Sequence, residues 1–247
     1  MLQRRSPFLV AENVLKQKYP EAIVAFVAGS FNRGEETPHS DIDLVVILPK
    51  LENGRREGFT YEGWPVEAFV HDPETLHAYL QDAKHKFGTA ALLSMVIEGP
   101  AIPANNELGL KLKALAQKIY DDGPPKWDQA TIDEHRYFIT DLLNDLRSPR
   151  NRLECSVIVG SLHERLGHFY LRTNGAWHAE RKQIPRKISK HDPAFYAEWV
   201  ECFNKAYEGR AEQLVALVEK ILQPFGGLLF DGYCEQGPKG WKVPLPD

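Results

Sequence analysis

The sequence predicts an α+β chain: a mixed sheet flanked by helices in the first half, followed by a C-terminal helical bundle. Three observations carry that expectation. Short β-branched and aromatic runs closed by glycine or proline alternate with amphipathic segments, but only up to about residue 120. The stretch "DDGPPKW", residues 121 to 127, then stops a helix with a glycine and forbids its continuation with two prolines. Beyond it, apolar residues recur at helical spacing and no strand run stands out.

Ser6-Pro7 pairs an N-cap residue with proline at the first helical position. Phe8, Ala11, Leu15 and Tyr19 then share one helical stripe that ends near Pro20. "AIVAFVAG", closed by Gly29, reads as a first strand, "DIDLVVIL", closed by Pro49, as a second, and "YEGWPVEAFVH" as a third. Asp72-Pro73 repeats the cap-and-proline signal ahead of Leu76, Leu80 and Ala83, and "NNELGLKLKALAQKIYDDG" is a further amphipathic helix. In the second half, Ile132, Ile139, Leu142, Leu143 and Leu146 mark one helix, and Leu153, Val157, Leu162, Leu166 and Phe169 mark another. Asp192-Pro193 starts a third with Phe195, Trp199 and Phe203, and "AEQLVALVEKIL" supplies a fourth. The expected division is a first domain over 1–122, a helical bundle over 128–230 and an irregular proline-rich tail over 231–247.

Composition narrows the function classes. With 43% hydrophobic and 26% charged residues the chain reads as an ordinary globular protein. Its net charge of −4 is spread along the sequence, which argues against a broad basic face for long nucleic acid. Cys155, Cys202 and Cys234 are far apart and match no metal-ligand spacing, so free thiols in a reducing compartment are expected. The apolar run "FLVA" is too short for a signal peptide and no segment reaches membrane-spanning length, so a cytoplasmic protein without membrane contact is expected.

The chemistry concentrates in "VAGSFNRGEETPHSDIDLVVIL", residues 27 to 48. In a strand, Asp41 and Asp43 point to one face with Val45 and Ile47, while Ile42, Leu44, Val46 and Leu48 point to the other. Two ionised carboxylates so placed repel each other and lose hydration, unless a cation or a basic group compensates. A divalent, oxygen-loving metal is the simplest compensation. Magnesium is held by few carboxylates, with substrate phosphates completing its shell, so the pair suits a nucleoside triphosphate. Upstream, Gly29 permits close backbone approach, and Ser30 offers a hydroxyl and an N–H to phosphate oxygens. Glu67, an acidic residue in the apolar run "WPVEAFV", is the candidate third carboxylate, with Val66, Ala68 and Val70 turned the opposite way. The bland reading of "SDIDLVV", solvated aspartates at a strand end, does not account for all three acids together with the Gly-Ser pair. "HERLGH" is not a zinc motif: His163 and His168 stand at i and i+5, well apart around a helix, and read as ordinary helix residues.

These residues resemble the nucleotidyltransferase superfamily, whose catalytic domain is shared with DNA polymerase β and the kanamycin nucleotidyltransferases. "GS", then "DID" about ten residues later, then an acid on a later strand carry the likeness, which is closest to the antibiotic-modifying branch at "WPVEAFV". The resemblance implies a polymerase β-like fold in which Gly29, Ser30 and Ser40 contact the triphosphate. It implies that Asp41 and Asp43 bind magnesium and that Glu67 completes a two-ion arrangement. The implied reaction transfers a nucleoside monophosphate from a triphosphate, ATP being expected, to a hydroxyl of a small, aminoglycoside-like acceptor with pyrophosphate release. Asp43 or Glu67 is then placed to receive the acceptor proton, with Glu134, Asp141 and Glu154 as candidates from the helical half.

The basic cluster Arg181, Lys182, Arg186 and Lys187 beside Trp177 reads as a break between helices. There Lys182 and Lys187 are expected to approach the nucleotide. A homodimer is among the expected partners. The alternatives are a protein hydroxyl as acceptor, or a non-catalytic antitoxin or regulatory module that keeps the fold.

Overall fold

The computed structural model describes residues 5–240 and 242–245. The expected first domain and the expected tail over 231–247 therefore lie partly outside the described residues. The chain divides into two compact units, Met1–Pro125 and Lys126–Asp247.

In the first unit, helix α1 (Pro7–Lys18) begins at the predicted proline and buries Val10, Ala11, Val14 and Leu15. These pack on alternate residues of three strands: Ala25 and Val27 of β1 (Val24–Ala28), Ile42, Leu44 and Val46 of β2 (Ile42–Ile47), and Val66, Ala68 and Val70 of β4 (Trp64–His71). Each Val or Leu fully removed from water there contributes roughly 1.5–3 kcal/mol, so α1 is fixed to this face by side-chain burial. Helices α2 (Pro73–Asp82), α3 (Ala91–Glu98) and α4 (Glu107–Asp122) also pack on these strands. The cap predicted for α2 is reciprocal: Thr75 N donates to Asp72 Oδ1 at 2.7 Å, and Asp72 N donates to Thr75 Oγ1 at 2.9 Å.

The sheet has five strands in the order β3-β4-β2-β1-β5, with β3 at Arg55–Tyr61 and β5 at Ala101–Ile102. Strands β2 and β4 run parallel and the other neighbours antiparallel, so the sheet is mixed, as expected. The third predicted strand needs correction. "YEGW" is a two-residue hairpin turn, with Glu62 at φ 47° and Gly63 at φ 79°, that joins β3 to β4. The charged edge strand β3 and the two-residue β5 were not expected, nor was helix α3.

The second unit is a bundle of α5 (Gln129–Arg147), α6 (Arg152–Thr173), α7 (Gln183–His191), α8 (Pro193–Tyr207) and α9 (Glu212–Leu222), around a core that includes Leu143, Leu162, Phe169, Trp199 and Val218. Helix α7 corrects the reading of "NGAWHAERKQIPRKI" as a break: its second half is helical, with Ile184 and Ile188 buried. Inside "HERLGH", Gly167 lets α6 and α7 close on each other, because a Cβ there would stand 2.4 Å from Ile184 Cγ2. His163 sits on α6 against Trp199 and Phe203. His168 joins a cluster in which Trp127 stacks on His135 at 4.2 Å between ring centres, and His178 lies 3.7 Å from His168. Burial, reinforced by Arg165 and His178, pushes His135 down to about 4, and burial, reinforced by His178 and His135, pushes His168 down to about 3.

Candidate active site

One row of residues crosses the sheet at the end where β1 finishes and β2 begins. Gly58 of β3 lies opposite Glu67 of β4, Glu67 pairs with Asp43 of β2, and Asp43 pairs with Ala28 of β1. Directly paired residues share a face, so Glu67 and Asp43 are neighbours on adjacent strands, about 4.8 Å apart along the sheet. Their flanks, Gly58 and Ala28, leave room beside the carboxylates. The next row is Arg56, Phe69, Val45 and Phe26, in which the three apolar side chains floor the acids and Arg56 stands at the sheet edge. Asp41, one residue ahead of β2, is exposed. It lines an open cleft of about 410 Å³ together with Gly58, Phe59 and Thr60 of β3 and Pro65, Val66 and Glu67 of β4.

The three acids lie close enough for their charges to bear on one another. Asp43 is half-buried, and its carboxyl is pushed up to about 7, first by burial, then by the charges of Asp41 and Glu67, against a smaller opposite pull from Arg56 and Arg33. The part of that shift due to Asp41 and Glu67 is the repulsion that a cation here would relieve. The donors are all carboxylate oxygens, the set a hard divalent ion takes. Among the described residues no group of three or more His, Cys, Asp or Glu side chains is drawn together closely enough to hold a metal ion by itself. Magnesium takes much of its shell from water and substrate phosphate, so one or two of these carboxylates are enough protein ligands for it.

The Gly-Ser turn comes to the same end of the sheet. Gly29 has φ 131°, in the region that favours glycine, and a Cβ there would stand 3.2 Å from the Asp41 carbonyl oxygen and 2.9 Å from the Phe31 ring. Ser30 opens a 3-10 turn, Ser30–Arg33, held by Asn32 Nδ2 donating to the Val27 carbonyl at 2.7 Å. Ser30 Oγ donates to Ser40 Oγ at 2.8 Å, and Thr37 N donates to the same oxygen at 2.8 Å. Gly29, Ser30, Ser40, Asp41, Asp43 and Glu67 thus belong to one end of one sheet.

The expected residues of the helical half stand on the second unit. Lys182 is exposed just before α7, and Lys187 lies within α7. Glu134 and Asp141 are exposed on α5, and Glu134 lines a separate cleft of about 560 Å³ with Asp128, Asp133 and Glu235. Glu154 Oε2 accepts from the Arg150 N–H at 2.7 Å at the start of α6.

The sequence matches the nucleotidyltransferase domain family over residues 11–159, more than half of the chain. The chain belongs to that family. Its general activity is nucleotidyl transfer, which implies a nucleoside triphosphate as substrate. No curated protein matches the chain. Among solved structures, a nucleotidyltransferase-like protein from Exiguobacterium sibiricum 255-15 is similar at 16% identity with a TM-score of 0.45, over 87% of this chain and 74% of that one.

Two basic residues beside the carboxylate row went unnoticed in the sequence. Arg56 Nη2 donates to Glu67 Oε1 at 2.5 Å, and its guanidinium lies 5.2 Å from the Phe69 ring centre. Arg33 reaches Glu35 at 3.3 Å and Glu98 at 3.4 Å. The signal for Arg56 was an Arg-x-Gly spacing that only becomes meaningful once β3 is paired with β4.

Proposed function

We propose that the chain transfers a nucleoside monophosphate, with ATP as the expected donor, to a hydroxyl of a small-molecule acceptor and releases pyrophosphate. The observation that carries this reading is the carboxylate row: Asp43 and Glu67 paired across β2 and β4, with Asp41 beside them and the Gly29-Ser30 turn at the same sheet end. Asp41, Asp43 and Glu67 would hold magnesium, two ions being the expected complement. When bound, the metal neutralises phosphate charge and lowers the acceptor's pKa.

Each residue then has a stated task. Ser30 and Ser40 hydroxyls and the backbone at Gly29 orient phosphate oxygens, so that the α-phosphorus faces the acceptor. The acceptor oxygen forms a bond to that phosphorus as the bond to the β-phosphate bridging oxygen breaks, and pyrophosphate leaves with the electron pair. Asp43 or Glu67 takes the acceptor proton, with Glu134, Asp141 and Glu154 as the alternatives from the helical unit. Lys182 and Lys187 are proposed to meet the nucleotide's charge. An aminoglycoside-like acceptor fits a chain with net charge −4, since an acidic protein attracts a polycationic substrate. The reading also takes the protein to be cytoplasmic, with a homodimer as a further partner.

The test is incubation with labelled triphosphates, magnesium and a panel of hydroxyl acceptors, reading pyrophosphate and the labelled product. Wild type should release pyrophosphate in step with product, and Asp43→Asn should not. Release that is unchanged in Asp43→Asn would remove the assignment.

A further inference from the structure

We propose that Arg56 couples triphosphate binding to cation binding: its guanidinium competes with a divalent cation for Glu67, and an arriving triphosphate relieves the competition by drawing the guanidinium onto its own oxygens. The inference rests on the carboxylate-row reading and adds a regulatory step to it.

Four observations support it. The pair is direct, Nη2 to Oε1 at 2.5 Å, so the guanidinium engages an oxygen that a cation shell would also need. The Arg56 side chain is 64% exposed and that of Glu67 28%, so the cation side of the pair is the one free to swing. Arg56 sits on β3, the edge of the sheet, and across from Glu67 stands Gly58, whose missing side chain leaves the lane between them clear. Arg33, the other guanidinium acting on Asp43, is engaged by both Glu35 and Glu98.

The chemistry of the exchange is symmetrical. A guanidinium presents the same fork of N–H donors to a carboxylate and to a phosphate, so moving between them conserves its hydrogen bonds. A cation approaching Glu67 without a triphosphate must displace a positive charge whose other nearby carboxylate, Asp43, belongs to the same cation set. With a triphosphate present, both positive charges find oxygens. The site therefore favours cation and triphosphate together over cation alone.

The test is a Mn2+ titration of the full chain, followed by the paramagnetic resonance signal of free Mn2+, together with the affinity for a preformed complex of Mn2+ and a non-hydrolysable ATP analogue. Arg56→Gln should bind Mn2+ alone roughly fivefold more tightly than wild type, the factor set by the upper range of a part-exposed ion pair. The same variant should bind the preformed complex more weakly. Arg56→Lys, which keeps the charge without the fork, should stay near wild type for Mn2+ alone and fall between wild type and Arg56→Gln for the preformed complex, and thermal melts of both variants report that the chain is folded. Mn2+ affinity that is equal or weaker in Arg56→Gln, while Asp43→Asn abolishes Mn2+ binding, overturns the role of Arg56 and leaves the carboxylate row standing. No Mn2+ binding by wild type, or full binding by Asp43→Asn, overturns the carboxylate row and this inference with it.

Discussion

The carboxylate row of the sheet unit and the histidine cluster of the helical unit place ionisable groups under the same physical pressure and resolve it differently. In both, burial favours the neutral form: Asp43 is pushed up to about 7, while His135 and His168 are pushed down to about 4 and 3. The row keeps an open side, with Gly58 and Ala28 as its flanks and a cleft at Asp41 and Glu67. The cluster is closed by rings, with Trp127 stacked on His135 and edge-on to His168. An open set of like charges invites a ligand. A closed set of neutral rings serves as packing.

The widest separation between the two should come from Asp43→Asn. Removing a repelled charge should leave the melting temperature unchanged or raised, while pyrophosphate release falls by about a hundredfold to a thousandfold, the equivalent of several kcal/mol of lost charge stabilisation. A melting temperature that drops with activity would make Asp43 a structural residue. In the helical unit the opposite is expected of Gly167→Val, because the new side chain meets Ile184. It should cost about 1–3 kcal/mol in urea unfolding, as overpacking does.

The cluster also predicts a pH dependence. His135 and His168 have folded-state values below the ordinary one, so the unfolded chain binds protons first as the pH falls. Their stabilising contribution is complete above about pH 6.5 and is lost progressively toward pH 4 and 3. Each histidine contributes at most about 1.4 kcal/mol per pH unit before solvent screening. Arg165 and Arg172 face these rings and sharpen the loss. Urea midpoints measured from pH 7 to 4.5 should fall in wild type and fall less in His168→Leu, whereas parallel slopes would remove His168 as a source. The smallest effect is expected at the β3–β4 turn. Gly63→Ala, at φ 79°, should cost about 1 kcal/mol, read by thermal melting.

The same comparison explains what the sequence could reveal. The row was legible because strand alternation is local: Asp41 and Asp43 among Ile42, Leu44 and Val46 show their common face without any partner strand. Glu67 was legible as an acid in an apolar run, since Val66, Ala68 and Val70 mark the opposite face. Arg56 was hidden because β3, "RREGFTY", is a charged edge strand whose identity comes from pairing with β4 and not from its own hydrophobicity. Helix α7 was hidden by Pro185 and by basic residues that read as loop, while Ile184 and Ile188 supply its buried side. The histidine cluster draws on residues 127, 135, 168 and 178, which the bundle alone brings together. Local periodicity shows faces; only tertiary pairing shows which faces meet.

The central claim, that Asp41, Asp43 and Glu67 form one cation-binding row facing a triphosphate, is most directly tested by crystals grown with Mn2+ and a non-hydrolysable ATP analogue. Anomalous scattering should place Mn2+ on Asp41 and Asp43 carboxylate oxygens, with the triphosphate against Ser30 and Glu67 turned toward the ion. Manganese and triphosphate bound together anywhere else on the chain, with the three carboxylates unengaged, would contradict it.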